Sequence, residues 1–223
     1  MSLCLYSTTY PEQLNAVIYN RLVNRLPPKL QTQVLAYRRW QDSYGSLFGK
    51  LLLDTAMSAA GETSALSRLA VTRYGRPYVK NAPDFNLSHS GHRVICALST
   101  SGRIGIDLEV MVNMDFSDFM AQFTMPEWKI IRTADNPLAS FYHHWTAKEC
   151  VIKADGRGLQ IALDSLDVDA ATFKGGIEVD GTFWHLYPLD HFPGYACHLA
   201  SDQPIDIPQI REISPETFLP AAP

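Results

Sequence analysis

The stretch IGIDLEV, residues Ile104–Val110, is the clearest strand in the chain and the place from which its fold can be worked out. Every second residue is aliphatic, and the side chains of a strand alternate between its two faces. One face is therefore apolar, while the other carries Asp107 and Glu109 side by side. Gly105 precedes them on the acidic face, where a residue without a side chain is expected to let a ligand approach the backbone.

The paired carboxylates indicate a candidate binding site for a divalent cation. Same-face neighbours on one strand lie roughly 6–7 Å apart. Two like charges at that separation repel by about 2–3 kcal/mol at an effective dielectric constant near 20. Mg²⁺ would replace this repulsion with attraction, because it prefers carboxylate oxygens and substrate phosphates as ligands. The alternative is a solvated strand face, on which carboxylates are common.

Outward from this strand, hydrophobic spacing predicts two halves, residues 1–102 and 103–223, in each of which helices precede strands. In the first half, helices are predicted over residues 12–25 and 30–60, and strands over residues 69–72, 84–88 and 93–99. In the second half, a helix over residues 116–132 is interrupted near Pro126, and a stronger helix covers residues 137–154. Strands are predicted at 165–168, 182–187 and 195–200, and the proline-rich tail after Asp202 is predicted to be irregular. The pattern indicates an α+β fold.

The stronger helix carries a second set of charged residues. Trp145, Glu149 and Lys153 share one face, because residues four apart stack on a helix, and Lys148 flanks them. Glu149 could add a third carboxylate to the strand pair, with the lysines beside it binding phosphates. The alternative is an ordinary ion pair between Glu149 and Lys153 on a solvated face, with Trp145 in the core.

Two turns carry groups that suit a phosphate. Ser88 and His89 lie near the end of the run FNLSHS, but neighbouring strand residues point apart, which is poor geometry for a nucleophile and its base. A hydroxyl, an imidazole and turn amides suit a phosphate better. The turn at Gly75 presents Arg76, whose guanidinium can hold a phosphate through two donors. The alternatives are a hydrogen-bonded turn and a solvated arginine.

Composition narrows the class of protein. The chain has 223 residues, 46% of them hydrophobic, and a net charge of -4, so there is no overall positive charge to attract nucleic acid. The cysteines are widely spaced and predict neither a zinc site nor a disulfide framework, which suggests a reducing compartment: Cys4, Cys96, Cys150 and Cys197. No signal peptide and no apolar run near the roughly 20 residues of a membrane span is evident. A cytoplasmic protein that binds neither nucleic acid nor membrane is expected.

Four motifs in this order resemble those of the 4'-phosphopantetheinyl transferases of the larger, surfactin-synthetase-activating type. They are GRP at 75–77, FNLSHS at 85–90, IGIDLE at 104–109 and WTAKEC at 145–150. The resemblance implies two similar α+β halves related by a pseudo-twofold axis, with the active site at their junction. It also implies transfer of the 4'-phosphopantetheine arm of coenzyme A to a serine of an acyl carrier protein or peptidyl carrier protein domain. Mg²⁺ would be required, and adenosine 3',5'-bisphosphate would be released.

The resemblance further implies a role for each motif residue. The Mg²⁺ ligands would be Asp107, Glu109 and Glu149, and Glu149 would also be the base, with Lys153 as its catalytic partner. Coenzyme A would be bound by Gly75, Arg76, Ser88, His89, Lys148, Lys153 and Arg39. Glu127 occupies the position of an acidic residue that often opens a helix in this family. Gly45 replaces an arginine expected at the 3'-phosphate, so Lys29, Arg38 or Arg39 would have to take its place.

Two other hypotheses fit parts of the pattern. One is a catalytically silent relative that senses coenzyme A, although the retained carboxylates and Lys153 argue against it. The other is a metal-dependent phosphohydrolase that releases 4'-phosphopantetheine without a carrier, which only the metal site supports. A chain that carries both halves of the site needs no second copy, so a monomer is expected. Carriers of fatty-acid, polyketide and peptide synthesis are all candidate partners.

Overall fold

The computed structural model of the chain describes residues 3–169, 173 and 175–219. Its helices are α1 (Ala16–Val23), α2 (Pro28–Leu35), α3 (Trp40–Ala59), α4 (Met125–Thr133) and α5 (Pro137–Asp155). Its strands are β1 (Leu3–Thr9), β2 (Leu69–Val71), β3 (Pro77–Val79), β4 (Asp84–Ser90), β5 (Arg93–Ser99), β6 (Ile104–Val110), β7 (Gly175–Val179), β8 (Thr182–Pro188), β9 (Tyr195–Ser201) and β10 (Ile210–Glu212). Within these residues, no helix is long and apolar enough to cross a membrane.

Two four-stranded sheets share one connectivity, which confirms the predicted α+β fold. The first sheet has the order β10-β1-β5-β4 and the second the order β6-β9-β8-β7. In each, an opening strand pairs antiparallel with the last strand of a later hairpin, and a long helix intervenes in sequence. That helix, α3 or α5, packs on its own sheet. The order along the chain in each case is therefore an opening strand, a long helix and then a hairpin. The expectation that helices come first was wrong.

The missed opening strand, β1, has no alternation to reveal it. Six of its seven residues are buried because β1 lies inside its sheet, between β5 and β10. A strand that is covered on both faces has no polar face, so apolar and polar residues do not alternate along its sequence. Periodicity therefore cannot distinguish it from any short apolar run.

Two further predictions were wrong in detail, and one more strand was missed. The helix predicted over residues 30–60 is broken, since α2 ends at Leu35 and α3 begins after an extended Arg39, with no Gly or Pro to mark the break. The strand predicted at 165–168 is absent, and Val168 donates its backbone N–H to Glu127 Oε1 instead of to another strand. The edge strand β7 was not predicted.

The tail after Asp202 is not wholly irregular, because it returns to the first sheet. β10 pairs in parallel with β1, and Ile213 N–H donates to the Ser7 carbonyl oxygen at 2.8 Å. Further on, Phe218 is buried against Phe48 of α3. The division at residue 102 stays a prediction, and the tail crosses it, since residues from the far end of the chain complete the first sheet.

The opening strand of the second half packs on both of its faces. The aliphatic face of β6 joins buried residues of β1 and β5 in one core cluster, among them Leu5, Ile95, Ile106 and Leu108. On the other face, a Cβ added to Gly105 would lie 2.0 Å from the Cys150 carbonyl oxygen. Helix α5 therefore fills the space that the sequence had suggested for a ligand. Gly105 permits a close approach of helix to strand, which brings the residues of α5 next to the carboxylates of β6.

Candidate functional site

The site lies where the facing edge strands β4 and β6 meet. They share no backbone ladder, and the side chains of β4 accept hydrogen bonds from successive outward N–H groups of β6 instead. The accepting groups are Asp84 Oδ2 from Ile104 (2.9 Å), Asn86 Oδ1 from Ile106 (3.0 Å), Ser88 Oγ from Leu108 (3.2 Å) and Ser90 Oγ from Val110 (3.1 Å). We call these four residues the side-chain ladder. Apart from Ser88, sequence reasoning missed them, although their polar spacing of two was a usable signal.

The ladder sets each serine beside a carboxylate of β6. Ser88 Oγ donates to Asp107 Oδ1 at 3.0 Å, and Ser90 Oγ donates to Glu109 Oε2 at 2.6 Å. A serine hydroxyl can donate and accept at once, so each one closes the junction and orients a carboxylate. Two of the predicted metal ligands therefore owe their orientation to the other half of the molecule.

Asp107 is the buried centre of the site. Its Oδ1 accepts from Lys153 Nζ at 2.5 Å as well as from Ser88, and only 2% of the residue is exposed. Its Oδ2 is buried and has no hydrogen-bond partner within the described part of the chain. A buried carboxylate oxygen without a donor is costly unless a cation or a ligand reaches it.

The titration of the neighbouring groups reflects the same crowding of charge. Burial raises the pKa of Glu109 to about 7, and the charge of Asp107 adds to the effect. Burial and then Asp107 also raise the pKa of Glu149. For Lys153, burial acts to lower the pKa, but Asp107 and the two glutamates more than offset it, so its pKa is raised. The site therefore holds more negative charge than its one lysine neutralises.

These groups fit a hard divalent cation chemically, through carboxylate oxygens and an unpartnered buried acceptor. Among residues 3–169, 173 and 175–219, however, no three His, Cys, Asp or Glu side chains are grouped closely enough to hold a metal ion. The ammonium of Lys153 occupies one side of Asp107 instead. The assignment of Asp107, Glu109 and Glu149 as metal ligands stays a prediction.

A cleft of about 300 Å³ opens beside Lys153 between the two halves. Its walls include the turn at Gly75, the β4 residues Asn86 and Leu87, and Glu149 and Lys153 of α5. Groups from the predicted phosphate turn and from the catalytic helix thus face one space. The structure brings Gly75, Arg76, Glu149 and Lys153 together around this cleft, and their roles at coenzyme A stay a prediction.

Arg76 also binds both halves of the protein. Its guanidinium makes two hydrogen bonds to Asp84, at 2.8 and 2.7 Å, and donates to the carbonyl oxygens of Ile104 (2.9 Å) and Lys153 (3.0 Å). Most of its donors are therefore used within the protein. The predicted contact of Arg76 with coenzyme A stays a prediction. In the structure, Arg76 connects the turn at Gly75 to β6 and to the end of α5.

Lys148 lies apart from this cleft. It is 1% exposed, and its Nζ donates to Glu127 Oε2 at 2.6 Å, the Leu163 carbonyl oxygen at 3.0 Å and the Gln122 carbonyl oxygen at 3.4 Å. Burial lowers the pKa of Lys148, and Glu127 opposes that shift. Glu127 itself closes a capping box with Thr124 at the start of α4. The structure thus does not bring Lys148 and Glu127 together with the other predicted residues.

His89 and Ser88 point to different neighbours, as the alternation of strand side chains predicts. While Ser88 faces Asp107, the His89 ring lies against α3, where a Cβ added to Gly45 would be 2.6 Å from His89 Nδ1. Burial, and then the charge of Lys153, lower the pKa of His89. Arg39 is exposed at the residue preceding α3.

Comparisons with known proteins agree with this architecture. A family model described as the 4'-phosphopantetheinyl transferase superfamily matches residues 103–200. A 4'-phosphopantetheinyl transferase of Bacillus subtilis is 31% identical over 169 residues, which is 74% of this chain and 75% of the relative. The transferase Sfp of Bacillus subtilis (strain 168) is 31% identical over 78% of this chain and 77% of its own. The transferase gsp of Aneurinibacillus migulanus is 28% identical over 86% and 82%.

An α+β protein with a cleft that borders both sheets and contains Arg76, Glu149 and Lys153 is thus matched to one class of transferase enzymes. The chain belongs to the 4'-phosphopantetheinyl transferase superfamily, and its similarity to the larger, Sfp-like type extends over most of its length.

Proposed function

We propose that this enzyme transfers the 4'-phosphopantetheine arm of coenzyme A to a serine of an apo acyl carrier protein or peptidyl carrier protein domain. The transfer requires Mg²⁺ and releases adenosine 3',5'-bisphosphate. The observation that carries the proposal is Asp107 Oδ2, which is buried and has no partner among the described residues, beside Glu109, Glu149 and Lys153. Such a site is suited to a cation and the phosphates that accompany it.

Asp107, Glu109 and Glu149 would hold the Mg²⁺. When bound, the ion supplies charge neutralisation for the pyrophosphate of coenzyme A, as in other phosphoryl transfers. Lys153 donates a hydrogen bond to Asp107 Oδ1 and borders the cleft, so its ammonium can add a second positive charge at the same phosphates. Gly75 and His89 contribute a turn and an imidazole for the rest of the nucleotide, while Ser88 gives its hydroxyl proton to Asp107 and so orients that carboxylate.

The carrier serine attacks the β-phosphorus of coenzyme A. A bond forms from the serine oxygen to that phosphorus, and the bond to the bridging oxygen breaks, so adenosine 3',5'-bisphosphate leaves with the electron pair. The serine proton passes to Glu149, directly or through a water molecule. The raised pKa of Glu149, caused by burial and by Asp107, makes it a better proton acceptor than an ordinary carboxylate.

One chain supplies every group in this scheme, so the enzyme works as a monomer. Its four cysteines are buried and none of them forms a disulfide, which suits a reducing cytoplasm.

The test is incubation of the protein with coenzyme A, Mg²⁺ and a panel of apo-carriers, followed by intact-mass measurement. We expect one carrier serine to gain about 340 Da, the mass of the transferred arm in this phosphoryl transfer. Asp107→Asn should keep the fold, judged by circular dichroism, and lose at least about 100-fold in rate, as expected when charge stabilisation is removed. Asp206→Asn, at an exposed aspartate, is the matched control.

Full activity of folded Asp107→Asn would contradict the assigned site. Release of 4'-phosphopantetheine from coenzyme A without any carrier would instead identify a phosphohydrolase.

A further inference from the structure

The buried residues Thr146 and His198 join α5 to β9, and the proposed reaction uses neither of them. Thr146 Oγ1 and His198 Nδ1 lie 2.8 Å apart, and neither residue is exposed to solvent. The Thr146 hydroxyl also donates to the Tyr142 carbonyl oxygen at 2.9 Å, one helical turn earlier. Because that bond uses the only proton of the hydroxyl, Thr146 Oγ1 accepts a hydrogen bond from His198 Nδ1–H.

The strand position of His198 places this contact beside the candidate site. His198 is the direct partner of Asp107 in the antiparallel ladder of β9 and β6. Directly paired residues point to the same face of a sheet, with Cα atoms about 4.5–5.5 Å apart. Asp107 contacts α5 through Lys153, at 2.5 Å, and His198 contacts it through Thr146. Two neighbouring strands thus each hold the helix at one side chain.

Glu149 lies between these two attachments on α5. It follows Thr146 by three residues and precedes Lys153 by four, and both spacings place side chains on one face of a helix. Each residue along a helix corresponds to about 100° of rotation, so the direction of the Glu149 side chain depends on how α5 is rotated about its axis. A helix held at one point can turn about that point, whereas a second attachment two turns away fixes its rotation.

We propose that Thr146 and His198 are positioning residues for the transfer reaction, and that their hydrogen bond fixes the rotation of α5 that turns Glu149 toward Asp107. The inference rests on the proposed function, in which Glu149 accepts the serine proton. A displacement of about 1 Å at such a group can slow an enzyme about 100-fold. A bond that only added stability would leave the rate of the folded variant unchanged.

The first arm of the test separates kcat from KM. Thr146→Val keeps the shape of the side chain and removes its hydroxyl. We expect kcat to fall at least about ten-fold because Glu149 is misplaced, and KM for coenzyme A to change less than about two-fold because the proposed nucleotide contacts at Gly75 and His89 lie on other elements. Thr146→Ser restores the hydroxyl and should restore most of kcat.

The histidine is tested in the same way. His198→Leu should lower kcat as Thr146→Val does, and His198→Asn should recover part of it, because its amide nitrogen can replace Nδ1–H as the donor. Unchanged kcat in folded Thr146→Val or His198→Leu would overturn the proposal. So would a raised KM with unchanged kcat, which would place the pair at substrate binding instead.

Thr55→Val is the matched control. The Thr55 hydroxyl of α3 also donates to the carbonyl oxygen four residues earlier, that of Leu51, at 3.1 Å. The control therefore loses the same kind of intrahelical hydrogen bond, but in a helix that carries no group of the reaction. Its kcat and KM should equal those of wild type. A fall in kcat equal to that of Thr146→Val would show a general effect of the lost hydroxyl and contradict the positioning role.

The second arm needs no turnover. Crystal structures of wild type and Thr146→Val should show the Glu149 carboxylate displaced by about 1 Å relative to Asp107, the scale at which a reacting group becomes misplaced. Thr146→Ser should show the wild-type position. An unmoved Glu149 in Thr146→Val would overturn the proposal whether or not transfer is detected. A displaced Glu149 in a protein whose wild type transfers nothing would contradict the proposed function and leave the positioning of α5 standing.

Discussion

Lys148 and Lys153 show how far two residues of one motif can differ in role. Both lie on α5, and both were expected to neutralise phosphates. Five residues along a helix correspond to about 500° of rotation, so the two side chains leave the helix in different directions. Lys153 reaches Asp107 and the cleft, whereas Lys148 lies in an ion pair with Glu127 that is almost completely buried. A motif lysine can thus stabilise the scaffold of a site without entering it.

A buried ion pair loses most when only one partner is removed. Lys148→Met should lower the free energy of unfolding by about 3–5 kcal/mol, because the charge of Glu127 is left in the protein interior without its cationic partner. Urea denaturation measures this loss. The double variant Lys148→Met with Glu127→Gln should recover much of it. A stable Lys148→Met with a raised KM for coenzyme A would instead favour the phosphate role that the sequence suggested.

Among the elements, the contact of β6 with α5 decides the geometry of the site. Helices normally pack on a sheet through side chains, which keeps the two backbones well apart. Here Gly105 lets the backbone of α5 approach directly, at Cys150 and Ala154. The short distance brings Lys153 within 2.5 Å of Asp107 on the same strand face.

A methyl group at Gly105 has no room. Gly105→Ala should therefore destabilise the protein by about 3 kcal/mol, the upper end of the usual cost of overpacking, because its two nearest neighbours, the Cys150 carbonyl oxygen and the Ala154 nitrogen, are backbone atoms that cannot turn away. Thermal and urea denaturation would measure the loss. Gly49→Ala should be neutral or stabilising by up to about 1 kcal/mol, since alanine is the better helix former. Equal stability of the two variants would contradict the close approach.

For the molecule as a whole, polar contacts across the junction hold the halves in register. The side-chain ladder joins β4 to β6, and Arg76 ties Asp84 to the backbone of β6 and α5. The tail adds β10 to the first sheet from the other end of the chain. Since the cleft is lined from both halves, any loosening of the junction should widen the site.

Arg76→Met tests this link. The variant should lose about 3 kcal/mol of stability, as expected when one partner of a largely buried pair is removed. It should also slow transfer, because the end of α5 that carries Lys153 loses an anchor. Arg68→Met removes an exposed pair with Glu62 and should cost less than about 1 kcal/mol. Unchanged stability of Arg76→Met would show that the junction does not depend on this guanidinium.

The sequence alone determined the α+β class, the strand that bears Asp107 and Glu109, and the helix that bears Glu149 and Lys153. Local periodicity is enough for these features, because an amphipathic strand or helix shows its two faces in its own residues. The same reasoning separated Ser88 from His89, since neighbours on a strand point apart.

Only the tertiary structure decided which of these residues meet. β1 could not be anticipated because it is covered on both faces and its sequence has no periodicity. β10 could not be anticipated because it is short and pairs with a strand from the other end of the chain. Lys148 pairs with Glu127, 21 positions away, and Arg76 pairs with Asp84, 8 positions away. Gly105 contacts α5, 45 or more positions away. Such contacts depend on how elements pack, and packing selects partners by space and charge rather than by position in the chain.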